Sequence, residues 1–351
     1  MADIETQTAK MLSSNNPQNL LRDSLASGGF IPLDAALERN RFPPFITAFL
    51  LLVVCLVLFN IVGAVVGVFA IAMQSGAESL LTTLQDAGGM ELLIKEHMTE
   101  LLIGNTVGQI LCIGLPALLF ARMTSSRPLP YLRLRSSDIR LSIVALLGLV
   151  AFQPVVSFLG EIWSALPWPD SLREFEAQLM EPVNAVLKQP NSLIPNILMI
   201  AVTPAICEEL LFRGYLQRNA ERAFGIVGAI IVVGFVFGAY HLQPTKLLPL
   251  SALGALFAWM VWRSGSLWPA IVAHFVNNAM AVSVGTYFAR KPDFDMKELE
   301  NMSFDWYIVA LGLGLFVISL VAFDRLAPRR TATSVASIPQ PQTSTESDNN
   351  D

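Results

Sequence analysis

Two adjacent glutamates stand in an apolar stretch of the chain, TPAICEELLFRGYL, which contains Glu208, Glu209 and Arg213. Ionisable side chains in such stretches are expensive and usually mark a functional site. Glu209 and Arg213 are four residues apart with the acid first, the favourable order for an ion pair on a helix. Glu208 points about 100° away from Glu209 and has no cationic partner at that spacing. Glu208 is therefore the candidate general base.

Two histidines and an asparagine lie in apolar sequence farther along the chain. His241 ends the run FGAYH, and His274 and Asn278 belong to the run LWPAIVAHFVNNAM. His274 and Asn278 are four residues apart, so a helix places both side chains on one face. Side by side, they can donate two hydrogen bonds to one oxygen, as an oxyanion hole requires.

The elements that carry these residues are predicted to be membrane-spanning helices. Of the 351 residues, 53% are hydrophobic and 15% are charged, whereas soluble domains contain about 25% charged residues. Blocks of about 20 apolar residues can cross a bilayer as helices, and there are eight, at residues 45–73, 101–121, 141–163, 192–212, 225–243, 246–263, 267–287 and 306–323. They lack the period-two alternation of a β-barrel, so we expect an all-α polytopic membrane protein with about eight transmembrane helices.

The predicted depths of the polar residues agree only in part. At about 1.5 Å per residue, Glu208 lies roughly 15–20 Å, His274 roughly 10 Å and His241 roughly 25 Å from the cytoplasmic ends of their helices. Helix tilt, or a kink at Pro204, is therefore needed to bring His241 towards Glu208.

Basic residues concentrate in alternate loops, and this pattern predicts the orientation. Arginines cluster before the first apolar block, between the second and third, and after the fourth, sixth and eighth, whereas the loops after the first and third blocks are acidic. Because basic loops stay on the cytoplasmic side, we expect both termini to be cytoplasmic. The net charge of −5 gives no indication of a nucleic-acid partner.

The sequence predicts five parts. They are a disordered cytoplasmic N-terminal segment at 1–42, three spans with external amphipathic segments (76–100 and 169–188) at 43–189, a catalytic core at 190–288, a final loop and helix at 289–324, and a disordered cytoplasmic tail at 325–351. Cys55, Cys112 and Cys207 fall within apolar blocks, and we interpret them as packing residues.

Three motifs in register resemble the CPBP family, which comprises CAAX proteases and bacteriocin-processing (Abi) proteins related to the Ras-converting CAAX endopeptidase. They lie within about residues 190–285 and are EExxxR at Glu208–Glu209–Arg213, FxxxH at Phe237–His241 and HxxxN at His274–Asn278. The resemblance implies an intramembrane endopeptidase of a bacterial inner membrane, with eight helices enclosing a catalytic cavity open to the cytosol. Glu209, Arg213 and Phe237 would support the site.

By the same resemblance, Glu208 and His241 would activate the attacking water, and His274 and Asn278 would stabilise the oxyanion. The chain has no HExxH motif, and a neutral amide such as that of Asn278 is a poor metal ligand. We therefore favour no metal or other cofactor. Zinc bound by Glu208, His241 and His274 is the alternative.

The expected substrate is a peptide or a membrane protein, with a lipidated CAAX-type protein and a bacteriocin precursor as the two possibilities that the resemblance offers. Two other functions are alternatives. One is a non-catalytic scaffold or bacteriocin-immunity protein of the same family. The other is a proton-coupled transporter in which Glu208 and His241 form a proton relay.

Overall fold

The computed structural model describes residues 20–22, 30–86, 88–188, 193–289, 291 and 303–328, and these residues are almost entirely helical. The helices are α1 (Ala36–Arg39), α2 (Pro44–Ser75), α3 (Ala77–Gln85), α4 (Gly89–Glu96), α5 (Met98–Thr124), α6 (Pro128–Tyr131), α7 (Ile139–Ser164), α8 (Asp170–Lys188), α9 (Leu193–Tyr240), α10 (Leu247–Ser264), α11 (Trp268–Ala289) and α12 (Trp306–Leu326). Two short strands, β1 (Leu20–Arg22) and β2 (Phe30–Pro32), pair antiparallel before α1. The predicted all-α fold is confirmed.

Six helices in the described part of the chain are long and apolar enough to cross a membrane: α2, α5, α7, α9, α12 and the segment Pro244–Ser264 that contains α10. Their outward faces are strongly apolar, as at Val65 and Phe69 of α2, which are 62% and 64% exposed. Each of the eight predicted blocks falls on a helix. However, α11 is not among the six, and α9, which contains two of the predicted blocks, is counted once, so the predicted count of eight spans is not confirmed.

Helix α9 is a hairpin rather than one long rod. Gly225 has φ 68° and ψ −176°, a backbone conformation that is essentially restricted to glycine. The rings of Phe212 and Phe237 are 5.2 Å apart, whereas a straight helix would separate them by roughly 37 Å. The chain therefore reverses at Gly225. The leg before this turn carries the two glutamates, and the leg after it ends at Tyr240, with His241 as the capping residue.

The first leg of α9 is irregular around the glutamates. Two π-helical segments, Ile197–Val202 and Leu210–Leu216, flank the α-helical segment Thr203–Glu209. Pro204 is near the start of that segment, where its missing N–H costs least. The winding of the helix thus changes next to Pro204, where a kink was one of the two expected ways to bring His241 towards Glu208. Wide π-helical turns often occur at functional sites.

Glycines allow the helices that frame the bundle to pack backbone against backbone. A Cβ atom on Gly104 of α5 would lie 2.3 Å from the carbonyl oxygen of Gly63 in α2. A Cβ on Gly254 of α10 would lie 2.9 Å from the carbonyl oxygen of Gly234 in α9. Small residues are typical of such close membrane-helix interfaces.

Residues 31–39 pack on the end of the bundle that holds the Gly225 turn, the predicted cytoplasmic end. Ile31 and Leu33 are buried in the main core. Glu38 pairs with Arg222 of α9 at 2.5 Å between Oε1 and Nη1. The prediction of a disordered segment over 1–42 is thus wrong for these residues, because their apolar and acidic side chains find partners on the bundle. Of the predicted disordered tail at 325–351, Arg325 and Leu326 belong to α12, and the part beyond Pro328 lies outside the described residues.

Helix α8 docks on the turn that follows His241. The buried carboxylate of Glu176 accepts hydrogen bonds from the backbone N–H of Thr245 at 2.8 Å and from its hydroxyl at 2.5 Å. Trp163 of α7 donates its indole N–H to the carbonyl oxygen of Pro244 at 2.8 Å. The predicted amphipathic segment therefore forms a helix, and it fixes the loop between α9 and α10.

Candidate active site

The ion pair expected between Glu209 and Arg213 is present, and both side chains are fully buried. Oε1 of Glu209 lies 2.7 Å from Nη1 of Arg213. Arg213 also donates a hydrogen bond from Nη2 to the carbonyl oxygen of Gly254 at 3.0 Å. Its guanidinium carbon lies 4.2 Å from the ring centre of Phe237, a cation–π contact. The pair therefore joins α9 to α10 beneath the site.

His274 lies between the two glutamates. Its Nδ1 is 3.0 Å from Oε1 of Glu209, and its Nε2 is 3.9 Å from Oε2 of Glu208. An ionised carboxylate only accepts hydrogen bonds, so Nδ1 carries a proton and Nε2 is the atom that faces Glu208. The imidazole stacks on Phe257 with ring centres 5.4 Å apart. The orientation of His274 is thereby fixed on two sides.

Sequence reasoning missed the contact between Glu209 and His274. It gave Glu209 a single partner, Arg213, because that pair follows from spacing within one helix. The contact with His274 depends on how α9 packs against α11, and no spacing within either helix reports it. The sequence offered one indication of a further partner: Arg213 is a single basic residue at helical spacing from two adjacent acids, Glu208 and Glu209.

Glu208 is the less buried of the two glutamates, with 13% of its side chain exposed. Its Oε2 is buried and has no hydrogen-bond partner among the described residues. A buried carboxylate oxygen without a partner is costly, and such an atom beside a histidine suits a group that binds water or substrate. The two acids do point in different directions, as the helical spacing predicted.

His241 caps the second leg of α9, directly after Tyr240. Its Nδ1 lies 2.8 Å from the carbonyl oxygen of Phe237. Because a carbonyl oxygen only accepts hydrogen bonds, the proton of the neutral ring is on Nδ1, and Nε2 keeps the lone pair of a base. The ring of Phe237 contacts both histidines, with centroid distances of 4.9 Å to His241 and 5.7 Å to His274.

The same packing brings the end of α9 to the level of the glutamates. The ring of Tyr240, beside His241, lies 5.1 Å from that of Phe212, which is one helical turn from Glu208. The three motifs therefore meet in one layer of the bundle, and Phe237 lies among them.

Asn278 lies one turn after His274 on α11. Its Nδ2 donates a hydrogen bond to the carbonyl oxygen of Ile200 at 3.4 Å, and its Oδ1 accepts one from Asn277 at 3.2 Å. The Oδ1 of Asn277 in turn accepts a hydrogen bond from Nε2 of Gln153 at 3.1 Å. The sequence analysis gave Asn277 and Gln153 no role, although adjacent amides in an apolar run were a signal.

The charges of the buried groups balance with one shared proton. Glu209 and Arg213 neutralise each other. A single proton shared between Glu208 and His274 would make that pair neutral as well, whether it lies on the imidazole or on the carboxyl group. The cluster would then carry no net charge, which is favourable in a low-dielectric interior.

The zinc alternative requires Glu208, His241 and His274 to surround one ion. Among the described His, Cys, Asp and Glu side chains, no three are placed closely enough to do so. The donors as arranged here therefore do not fit a zinc ion.

Residues 190–280 match the family model described as type II CAAX prenyl endopeptidase Rce1-like. This segment covers about a quarter of the chain and contains all three motifs. No curated protein and no solved structure gave a match. This match supports the resemblance to the CPBP family of CAAX proteases that the motifs indicated. Such a domain in a bundle of apolar helices points to a membrane-embedded protease.

Proposed function

We propose that this protein is an intramembrane endopeptidase that hydrolyses a peptide bond of a membrane-associated protein by direct attack of water. The observation that carries the proposal is the position of His274, whose Nε2 lies 3.9 Å from the unpartnered Oε2 of Glu208. An acid–base pair at the centre of the three motifs is what peptide hydrolysis without a covalent intermediate needs. The CAAX-protease domain supports the same reaction class.

In the proposed first step, a water molecule binds between Glu208 and Nε2 of His241. Glu208 removes a proton while the water oxygen attacks the carbonyl carbon of the scissile bond. Negative charge then develops on the carbonyl oxygen. The Nε2–H of protonated His274 and an N–H of Asn278 donate hydrogen bonds to this oxygen.

In the second step, the tetrahedral intermediate collapses and the C–N bond breaks. Glu208 returns its proton to the leaving amine, so the carboxylate is regenerated. No serine or cysteine attacks the substrate. Glu209 keeps Nδ1 of His274 protonated throughout, because its Oε1 accepts from both Arg213 and His274.

We further propose that the substrate is a protein with a prenylated CAAX motif at its C-terminus, with a bacteriocin precursor as the other candidate. The type II CAAX prenyl endopeptidase domain supports the first of these. A lipid-modified chain end would enter from the bilayer and present its last peptide bonds at the depth of Glu208.

The test compares the membrane peptidome of cells that carry the wild-type chain with that of cells carrying Glu208→Ala. Purified wild-type protein is then incubated with prenylated and unprenylated CAAX peptides. We expect products that only the wild type generates. The matched control is Asn60→Ala, because within the described part of the chain the Asn60 side chain bonds only the carbonyl oxygen of Leu56 on its own helix. Identical peptidomes for wild type and Glu208→Ala would favour the scaffold or immunity role instead.

A further inference from the structure

Three amide side chains from two helices form a continuous chain of hydrogen bonds that ends at the candidate oxyanion donor. Gln153 of α7 donates to Asn277 at 3.1 Å, Asn277 donates to Asn278 at 3.2 Å, and Asn278 donates to the carbonyl oxygen of Ile200 at 3.4 Å. All three side chains are partly buried. In an apolar interior each such bond is strong, and its loss leaves a costly unpaired group.

The series of hydrogen bonds from Gln153 to Asn278 runs in one direction, from donor to acceptor. An amide nitrogen carries two N–H donors and an amide oxygen only accepts. Since Gln153 donates to Oδ1 of Asn277, the nitrogen of Asn277 is turned towards Asn278. That nitrogen donates to Oδ1 of Asn278 and so turns the nitrogen of Asn278 away from itself.

The amide of Asn278, the last residue in this series, is therefore held in one orientation, which fixes the direction of its two N–H groups. One N–H of Asn278 binds the carbonyl oxygen of Ile200, in the π-helical segment before the glutamates. The second N–H has no acceptor among the described residues. If the amide were flipped, Oδ1 would face the Ile200 carbonyl and would repel a developing oxyanion.

We propose that Gln153 and Asn277 are positioning residues that keep an N–H of Asn278 directed at the scissile carbonyl group. This inference rests on the proposed function, since it assigns Asn278 to the oxyanion. Neither Gln153 nor Asn277 touches the reacting atoms. They act through Asn278, as outer-shell partners act through the group that they orient.

The test measures kcat and KM for Gln153→Glu, Asn277→Asp and Asn278→Ala, together with each of the first two combined with Asn278→Ala. Glu and Asp keep the size of the side chain but remove the donor. We expect Gln153→Glu and Asn277→Asp each to lower kcat by about 10–100-fold, with KM nearly unchanged. In the Asn278→Ala background the same substitutions should have little further effect. The control, Asn60→Ala, should retain its activity.

Each outcome discriminates between the two levels of the proposal. If turnover is lost in Asn278→Ala but stays normal in both Gln153→Glu and Asn277→Asp, the positioning role alone is overturned. Full additivity of the relay and Asn278 defects would also overturn it. Normal turnover in Asn278→Ala would instead overturn the oxyanion assignment. Thermal unfolding of each variant in detergent separates these results from misfolding, and Gln153→Asn, which keeps a donor on a shorter side chain, should retain more activity than Gln153→Glu.

Discussion

Nδ1 of His274 lies 3.0 Å from Oε1 of Glu209, so the second glutamate of the adjacent pair orients the imidazole whose other nitrogen faces the first. Two neighbouring acids on one helix thus lie near the two ring nitrogens of one imidazole. Glu209 combines the ion pair expected from its spacing to Arg213 with a contact that orients His274.

Exchanging each glutamate for glutamine should separate these roles. Glu208→Gln is expected to abolish cleavage while leaving the protein folded, because Oε2 of Glu208 has no hydrogen bond to lose among the described residues. Glu209→Gln leaves Arg213 buried without an anionic partner, and removing one member of a buried pair costs about 3–5 kcal/mol. Detergent-solubilised yield, thermal unfolding and cleavage are measured for both variants. Equal folding defects would contradict the division of roles.

Both termini are expected to face the cytoplasm, because the basic residues lie in alternate loops. Reporter fusions after residues 90, 180 and 295 should report an external location. Fusions after residues 130, 220 and 335 should report a cytoplasmic one. A cytoplasmic signal at 180, which falls in α8, would show that the number of spans is wrong.

Removal of metal ions should leave activity intact if Glu208 and His241 activate the water. Protein dialysed against EDTA is assayed before and after the addition of single divalent ions. Loss of activity that one specific ion restores would support the zinc alternative. Inhibition by 1,10-phenanthroline alone would not, since that molecule can itself occupy an apolar cavity.

Asn278→Ala gives an independent test of the same mechanism. An oxyanion donor contributes roughly 10²–10³ in rate, so this substitution should reduce kcat by that factor with little change in KM. Steady-state kinetics on a cleaved peptide provide the measurement. Near-normal turnover would argue for zinc, because Asn278 has no function in the zinc site.

Gly225→Ala should destabilise the α9 hairpin by about 1–3 kcal/mol, because only glycine adopts the Gly225 conformation without strain. No neighbouring atom lies within 4 Å of the added Cβ, so the effect would come from the backbone alone. Gly314→Ala is the matched control, since that position in α12 is also open and has an ordinary helical φ. Thermal unfolding should distinguish the two, and equal behaviour would mean that the turn tolerates a side chain.

Glu176→Ala should loosen the turn that follows His241. The substitution removes both acceptors of Thr245, and unsatisfied buried donors cost about 1–3 kcal/mol. We expect a lower unfolding temperature and a lower kcat, because the turn holds the end of α9. Glu181→Ala on the same helix is the control, since Glu181 is exposed. A stability loss without any change in kcat would show that the turn does not influence His241.

The features predicted correctly from the sequence were local ones. The apolar blocks predicted the helices, because a segment in a bilayer must satisfy its own backbone hydrogen bonds and a helix does so within one segment. The pair Glu209–Arg213 followed from a spacing of four on one helix. Arginines between the fourth and fifth blocks indicated a loop there, and the structure has its reversal at Gly225.

The features that the sequence did not reveal depend on contacts between helices or on backbone detail. The hydrogen bonds from Gln153 through Asn277 to Asn278 depend on how α7 is aligned against α11, which no spacing within one helix reports. The π-helical segments around Thr203–Glu209 leave no pattern in the side chains. Residues 31–39 were assigned to a disordered segment because their few apolar side chains, such as Ile31, are too short a run to show a period.

The ion pair between Glu209 and Arg213 also bears on how the protein is made. Both partners belong to one helix, so the pair forms as soon as that helix winds and needs no later span to supply a counter-charge. An unpaired glutamate or arginine at mid-bilayer opposes insertion. This helix can therefore insert with those two charges already neutralised, and His274, which comes later in the chain, can pack against a carboxylate that is already in place.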